Sequence, residues 1–216
     1  ADATMSFRGT ASAINTALNG LSYIPTANYN GTDTLTVTTN GGDGESALIN
    51  LVNGGFRNIP AEVYETKFPV RVEEFSLRRD SGGAGRWRGG CGVTRTYLLL
   101  EDCYGALWFE RERTPAWGLA GGQSGAGPAN DILGPGGETE HPLKMRARAF
   151  RKGTRIVTRT GGGGGYGDPL ARPLGEVLDD VRSGLVSVDR AWADYGVRIA
   201  PDMTVDTAAS RPRTAV

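Results

Sequence analysis

The feature that most constrains the fold is a run of five glycines, Gly161 to Gly165, within T-G-G-G-G-G-Y-G-D-P at residues 160–169. Glycine tolerates positive φ and lets another backbone or a ligand come close, but ordering it costs more entropy than ordering any other residue. Two interpretations remain open. The run is either a wide turn, with Asp168 and Pro169 as turn residues, or a loop whose N–H groups line an anion or substrate site. The local sequence favours the turn, and no Gly-Lys-Ser/Thr follows as a P-loop requires.

Residues beside this run, and one strand end elsewhere, supply the candidates for a functional site. The loop residues that could contact a substrate are Gly163, Gly164, Gly165 and Tyr166. Tyr166 could also supply an aromatic wall together with Trp117, but buried packing is the favoured role for both rings. Asp168 is the best single catalytic candidate, because Pro169 fixes it beside the glycines. Glu110 and Arg111 are further catalytic candidates at the end of an apolar strand, where an ion pair is the simpler interpretation and anion binding by the arginine is the other.

The composition favours a β-rich protein and argues against several classes of partner. The 216 residues include 33 glycines and few long apolar helical runs, which is typical of strands joined by tight turns. Lys+Arg and Asp+Glu balance at 24 each, so neither nucleic acid nor an anionic membrane is expected as a partner. No apolar run approaches the roughly 20 residues of a membrane span, and the first residues show no signal peptide.

Cysteine and histidine are too few and too scattered to predict a metal centre. Cys91 and Cys103 lie at opposite ends of an expected hairpin, and a disulfide needs Cα atoms within about 7 Å, so two free thiols are expected. Free thiols suit a reducing compartment, and we expect a cytoplasmic protein. His141 is the only histidine and lies in a polar stretch, which predicts an exposed loop residue. No metal or other cofactor is therefore expected to bind this chain.

Periodicity predicts a mainly β fold with some helix, in which antiparallel sheets form a sandwich-like core closed by two short C-terminal helices. The predicted strands are residues 68–79, 93–100, 106–111, 144–150 and 154–160. In the first of these the apolar alternation slips by one residue at Glu73 and Glu74, as a β-bulge produces.

Two amphipathic helices are predicted near the C-terminus. The first carries its apolar stripe at Leu174, Val177, Leu178 and Val181, and the second at Val188, Ala191, Trp192 and Tyr195. Ser187 is the expected N-cap of the second helix and Gly196 its terminator. Both stripes, Trp192 included, are expected to face the core. Residues 200–216 are predicted to be a disordered tail.

The first 42 residues differ from the rest, since they are rich in threonine, asparagine and alanine. A short helical turn is predicted at residues 11–21 and a half-buried strand at residues 34–39. Residues 23–40, Y-I-P-T-A-N-Y-N-G-T-D-T-L-T-V-T-T-N, resemble the end of a cadherin-like or immunoglobulin-like repeat from large bacterial surface adhesins. The match covers about half a repeat, and half a sandwich cannot close its core, so residues 1–42 are not expected to be stable alone.

A second resemblance covers residues 43–199 and rests on a long series of ordered motifs. They are R-N-I-P-A-E-V-Y-E (57–65), F-P-V-R-V-E (68–73), D-S-G-G-A-G-R-W-R-G-G (80–90), E-R (110–111), P-A-W-G-L-A-G-G (115–122), the glycine run to Pro169, and D-V-R-S-G-L-V-S (180–187). Each motif alone is weak evidence. Their order and spacing together resemble the C-terminal part of the hydantoinase B/oxoprolinase family, which includes the large subunit of acetone carboxylase.

The family resemblance implies ATP-dependent ring opening of a cyclic amide, such as a hydantoin or 5-oxoproline, or a related carboxylation. In the family an A-type subunit or domain binds ATP and phosphorylates the substrate, and the B part completes the reaction. A divalent metal takes part in at least one branch of the family, and its His- and Asp-rich motifs lie in the N-terminal region of the B part. The implied partners are the A subunit and that N-terminal B region.

The sequence shows no counterpart of those metal motifs. It therefore resembles a chimaera or a truncated reading frame with a junction near Asn40, and we expect no hydrolase activity from this chain alone. The alternative function is a non-catalytic adhesion or binding module carried by residues 1–42.

Overall fold

The structure is a computed structural model that describes residues 42–47 and 59–211 of the chain. The helical turn expected at residues 11–21, the strand expected at residues 34–39 and the adhesin-like segment as far as residue 41 lie outside the described residues. The last part of the expected tail, residues 212–216, lies outside them as well. Among the described helices, none combines the length and the apolar character that crossing a bilayer requires.

Short strands and helices alternate with long glycine-rich connections. The described strands are β1 (Val70–Leu77), β2 (Val93–Leu99), β3 (Cys103–Trp108), β4 (Ala129–Leu133), β5 (Thr139–Glu140), β6 (Lys144–Phe150), β7 (Arg155–Arg159), β8 (Arg198–Ile199) and β9 (Val205–Asp206). The described helices are α1 (Ala61–Lys67), α2 (Leu174–Arg182) and α3 (Val188–Tyr195), with one 3₁₀ turn at Pro169–Ala171. The mainly β fold with antiparallel sheets and two short C-terminal helices is thereby confirmed.

The largest sheet has five antiparallel strands in the order β1-β2-β7-β4-β5. β1 is an edge strand and pairs with β2 from Val70, opposite Leu99, to Leu77, opposite Val93. The register of this pair shifts between Val72 and Glu74. The shift confirms the β-bulge that the slipped alternation predicts.

β3 belongs to a separate two-stranded ribbon with β6, so the expected hairpin between β2 and β3 is wrong. Residues along β3 alternate between half-buried and exposed. Such a pattern fixes which face of a strand is covered, but it does not choose the partner strand. The cysteines at the two ends of this region, Cys91 and Cys103, are free thiols as predicted.

The ribbon packs on the five-stranded sheet through one apolar cluster. Val70, Leu99 and Ile132 come from the sheet, and Phe150 comes from the ribbon. Partly buried side chains from both layers, Ile156 among them, extend the cluster. Two β layers around a shared apolar core form the sandwich-like arrangement.

The two C-terminal helices form a second apolar cluster with the segments around them. Its fully covered members include Val177, Val181, Ala191 and Tyr195, which lie on the stripes that the helical spacing predicts. Both predicted ends of α3 are confirmed: Ser187 Oγ accepts a hydrogen bond from the Arg190 amide at 3.2 Å, and Gly196 ends the helix at a left-handed φ of 66°.

Val188 on the second stripe is 42% exposed, so its expected place in the core is wrong. Trp192 is the other exception. It is half-buried, and the guanidinium groups of Arg198 and Arg211 lie 4.5 and 4.6 Å from its ring centroid. The ring therefore packs against cations at the surface, and its expected place in the core is wrong.

The predicted disorder of residues 200–216 is wrong for residues 200–211. β8 and β9 pair as a short hairpin, and Met203 and Val205 pack against the helical cluster. Arg211 donates its backbone N–H to Gly196 O at 2.9 Å. These apolar residues are isolated in the sequence, so no periodic pattern predicts that this segment packs against the helices.

Candidate functional site

The glycine run lies at the centre of what we call the glycine core, in which residues 82–90, 117–125 and 161–167 pack backbone against backbone. A Cβ atom on Gly162 would overlap the carbonyl group of Ser81, and one on Gly165 would overlap that of Ala84. A Cβ atom on Gly85 would lie 2.6 Å from the Tyr166 amide nitrogen. Close backbone packing is therefore the reason that this part of the chain needs glycine.

Most amide groups in the glycine run donate to carbonyl groups of the neighbouring segments. Gly163 donates to Gly90, Gly165 to Gln123 and Tyr166 to Trp87, each at 2.9 Å. The run is therefore a packed segment rather than the wide turn that the local sequence favours, because its partners lie far away in the chain. A substrate role for the loop residues Gly163, Gly164, Gly165 and Tyr166 stays a prediction, and three of these four amides already have acceptors.

An exposed aromatic and apolar patch borders the glycine core. Tyr166 forms β-bridges with Trp87 and with Leu119. Its side chain is 44% exposed, and Leu119 and Trp117 are 53% and 66% exposed. The Arg86 guanidinium lies 4.1 Å from the Trp87 ring centroid. The favoured prediction of buried packing for Tyr166 and Trp117 is therefore wrong, since both residues are exposed.

Asp168 lies directly after the glycine core and caps the 3₁₀ turn. Its Oδ1 accepts a hydrogen bond from the Leu170 amide at 2.9 Å, and Gly167 before it has a φ of 76°. One carboxylate oxygen is thus engaged in a local turn, as is common for aspartate before proline. The catalytic role of Asp168 stays a prediction.

Glu110 forms the expected ion pair, but with Lys144 rather than with an arginine beside it. The Lys144 Nζ atom lies 2.6 Å from Glu110 Oε1, and Trp108 Nε1 donates to the same oxygen at 3.2 Å. These two hydrogen bonds hold the pKa of Glu110 below its usual value, with the bond from Lys144 as the larger cause. Arg111 has a φ of 67° and donates from Nε to Thr114 O at 3.2 Å.

An ion-pair network that includes Arg88 of the glycine core was missed by sequence reasoning. Its members are buried except Asp43, whose side chain is 30% exposed. Arg172 is 1% exposed and forms a bidentate pair with Asp43, with two N–O distances of 2.6 Å. Its Nη2 also donates to Asp180 Oδ2 at 2.8 Å, and Arg88 Nε donates to Asp180 Oδ1 at 3.2 Å. The network joins residues 42–47, the glycine core and α2.

The electrostatics of this network follow from its pairing. Burial raises the pKa of Asp43, but the hydrogen bond and charge of Arg172, together with Arg88, outweigh burial and hold it below its usual value. Burial raises the pKa of the neighbouring Tyr195 hydroxyl. Charged groups that are buried and paired in this way hold segments in register. The signal in the sequence was Asp180, which lies three residues after Val177 on the buried stripe of α2.

The described residues do not supply a metal centre. No three His, Cys, Asp or Glu side chains in the described part of the chain lie close enough together to hold a metal ion. His141 is exposed as predicted, and its Nδ1 lies 2.8 Å from Asp131 Oδ1. A zinc site needs at least three protein ligands, and the described residues bring no such set together.

The sequence profile of the hydantoinase B/oxoprolinase family matches residues 8–169. The chain belongs to this family. It is 38% identical over 165 residues to the caprolactamase subunit beta of Pseudomonas jessenii, which covers 71% of this chain and 27% of that subunit. The family assignment made from the ordered motifs is therefore confirmed. The profile match begins at residue 8 and so also covers residues 23–40, the part that resembles adhesin repeats.

Two solved structures resemble this fold. The crystal structure of an ATP-dependent caprolactamase from Pseudomonas jessenii aligns with a TM-score of 0.61 at 34% identity and covers 69% of this chain. A nucleotide-free acetone carboxylase aligns with a TM-score of 0.67 over 78% of this chain, and at 22% identity it shows the fold alone. The chain spans 27% of the length of each.

Proposed function

We propose that this chain is the C-terminal part of a B-type subunit whose enzyme hydrolyses cyclic amides, such as hydantoins, 5-oxoproline or lactams, at the expense of ATP. The observation that carries the proposal is the 38% identity to the caprolactamase subunit beta, together with a fold similar to that of an ATP-dependent caprolactamase. The chain contributes a rigid scaffold made of the glycine core and the ion-pair network.

The same proposal assigns the chemistry to other parts of the assembly. ATP binds to an A-type partner subunit, and the divalent metal binds to the N-terminal B region of the family. The lack of a three-ligand cluster among the described residues supports this division. The chain alone is therefore inactive. Two free thiols support a cytoplasmic location.

A replacement experiment tests the function. The matching C-terminal part of the Pseudomonas jessenii caprolactamase subunit beta is exchanged for this chain, and ATP-dependent hydrolysis of caprolactam, hydantoin and 5-oxoproline is measured with the partner subunit present. We expect turnover of at least one ring by the hybrid and none by the subunit that lacks this part. A folded hybrid without activity on any ring would count against the function. Turnover by the purified chain alone would count against the scaffold role.

A second candidate function is a non-catalytic adhesion module, and the resemblance of residues 23–40 to adhesin repeats favours it. An adhesin repeat of this type should respond to calcium, whereas the family domain should not. Thermal unfolding of the whole chain with calcium or with chelator distinguishes the two. The family match from residue 8 onward supports the first function.

A further inference from the structure

A groove of about 560 Å³ lies where the end of β1, the start of β2 and the end of β7 meet the residues after α2. Three arginines line it: Arg78, Arg79 and Arg159. Glu74 is the only acidic residue in its lining, and Asp131 outside the lining pairs with Arg159, so positive charge is in excess in the groove. No residue of the glycine run lies in this lining, so the groove is separate from the loop that the sequence singles out.

Arg78 is held in place in a way that leaves part of its guanidinium group for a ligand. Its Nη1 atom donates to Gly127 O at 2.7 Å and to Thr160 O at 2.9 Å. Both bonds use the same nitrogen, so the N–H groups on Nε and Nη2 of the guanidinium group can donate to a ligand. The side chain is half-buried, and no carboxylate within the described residues forms a salt bridge with it.

The other two arginines of the groove are also partly engaged. Arg79 donates from Nε to Gly184 O at 3.2 Å. Arg159 pairs with Asp131 at 2.7 Å, and Asp131 also faces His141. Each guanidinium group is thus oriented by one or two fixed acceptors and keeps further N–H donors. Orientation before binding reduces the entropy that a ligand must overcome.

Like charges lie close together in this groove. Burial lowers the pKa of Arg78, and the positive charge of Arg159 lowers it further. The repulsion between two guanidinium groups is relieved when an anion lies between them. Among the described residues, Glu74 forms no salt bridge with these arginines, and its two oxygens accept hydrogen bonds from Ser76 and Thr96.

We propose that this groove binds a phosphate group through the guanidinium forks of Arg78, Arg79 and Arg159. A phosphate carries between one and two negative charges near neutral pH and offers three or more acceptor oxygens. It therefore matches three partly free guanidinium groups better than a carboxylate, which has one charge and two oxygens. The phosphate comes either from inorganic phosphate or from a nucleotide. The proposal stands independently of the cyclic-amide function.

Calorimetric titration of the whole 216-residue chain tests the site. Inorganic phosphate, ADP and acetate are titrated separately at constant ionic strength in a buffer without phosphate. We expect saturable binding of phosphate and a weaker response to acetate. R79Q and R159Q should each weaken phosphate binding by about tenfold, since each removes charge-assisted hydrogen bonds. R71Q is the matched control, because Arg71 lies exposed on β1 outside the groove, and it should leave binding unchanged.

The outcomes separate the sources of the phosphate and can overturn the proposal. Tighter binding of ADP than of inorganic phosphate, lost in the same variants, identifies a nucleotide as the source. Equal binding identifies free phosphate. The exposed position of Arg79 keeps R79Q informative even if replacement of Arg78 or Arg159 disturbs folding, which circular dichroism reveals. An absence of saturable phosphate binding, acetate binding as tight as phosphate, or binding unaffected by R79Q in the folded protein would overturn it.

Discussion

At the scale of single residues, glycines in the glycine core and glycines elsewhere should differ in how much their replacement by alanine changes stability. A Cβ atom on Gly162 would overlap the Ser81 carbonyl group, whereas Gly175 in α2 has nothing within 4 Å. We expect Gly162→Ala to lower the free energy of unfolding by about 1–3 kcal/mol, because a packed backbone must move. Gly175→Ala should raise it by about 0.5–1 kcal/mol, because alanine favours helix. Urea unfolding measures both variants. Equal free energies of unfolding for the two variants would contradict the close backbone packing of the glycine core.

Asp43 gives a prediction about pH. Its pKa is lower in the folded chain than the usual value of 3.8. A lowered carboxyl pKa contributes stability that is present above the unfolded pKa and is lost as the pH falls through the folded pKa. Solvent screens part of this pairing, because the Asp43 side chain is 30% exposed. Asp43→Asn should therefore lower the free energy of unfolding at neutral pH by about 1 kcal/mol, and make it less sensitive to acid below about pH 4.

Urea unfolding over a series of pH values measures this difference. Glu101→Gln is the matched control, because Glu101 is an exposed carboxylate in the loop after β2. The control should follow the unmodified chain at every pH. An acid response of Asp43→Asn that matches the unmodified chain would show that the pairing with Arg172 contributes nothing to stability.

At the scale of elements, the start of α3 depends on one side chain. Ser187 Oγ accepts the Arg190 amide, and the Ser187 amide donates to Asp80 Oδ1 at 2.7 Å. Ser187→Ala removes the first bond and keeps the second, so the free energy of unfolding should fall by about 1 kcal/mol. Ser187→Asp should restore most of it. Ser183→Ala, at the exposed end of α2, is the control and should change little, as thermal or urea unfolding will show.

The same elements show what a sequence can predict. Strands such as β6 and both C-terminal helices can be predicted from apolar periodicity and capping residues, because these signals lie entirely within the segment itself. The partner of β3 and the packing of Gly162 depend on segments far away in the chain. The pairing of Asp43 with Arg172 depends on residues 129 positions apart. Long-range pairings of this kind leave no period in the sequence. The sequence therefore offers site candidates beside the glycines and at one strand end, but it does not indicate the ion-pair network.

At the scale of the whole molecule, the described surface exposes several large apolar side chains, and such side chains can mark an interaction surface where they lie together. Tyr104 is 80% exposed and Trp108 is 73% exposed, and both lie on the open face of the ribbon formed by β3 and β6. A chain that spans about a quarter of its relatives has such faces free to meet other protein surfaces. We therefore expect the purified chain to self-associate through this ribbon as its concentration rises.

Sedimentation velocity on the double variant Tyr104→Thr, Trp108→Thr tests this expectation. Both side chains are exposed in the single chain, and threonine suits a strand, so the free energy of unfolding should change little while the weight-average sedimentation coefficient loses its dependence on concentration. Val188→Thr, which alters one exposed side chain on α3, is the control and should sediment like the unmodified chain. If the double variant associates as strongly as the unmodified chain, another surface holds the copies together. If the unmodified chain stays monomeric at all concentrations, the exposed side chains of the ribbon do not drive association.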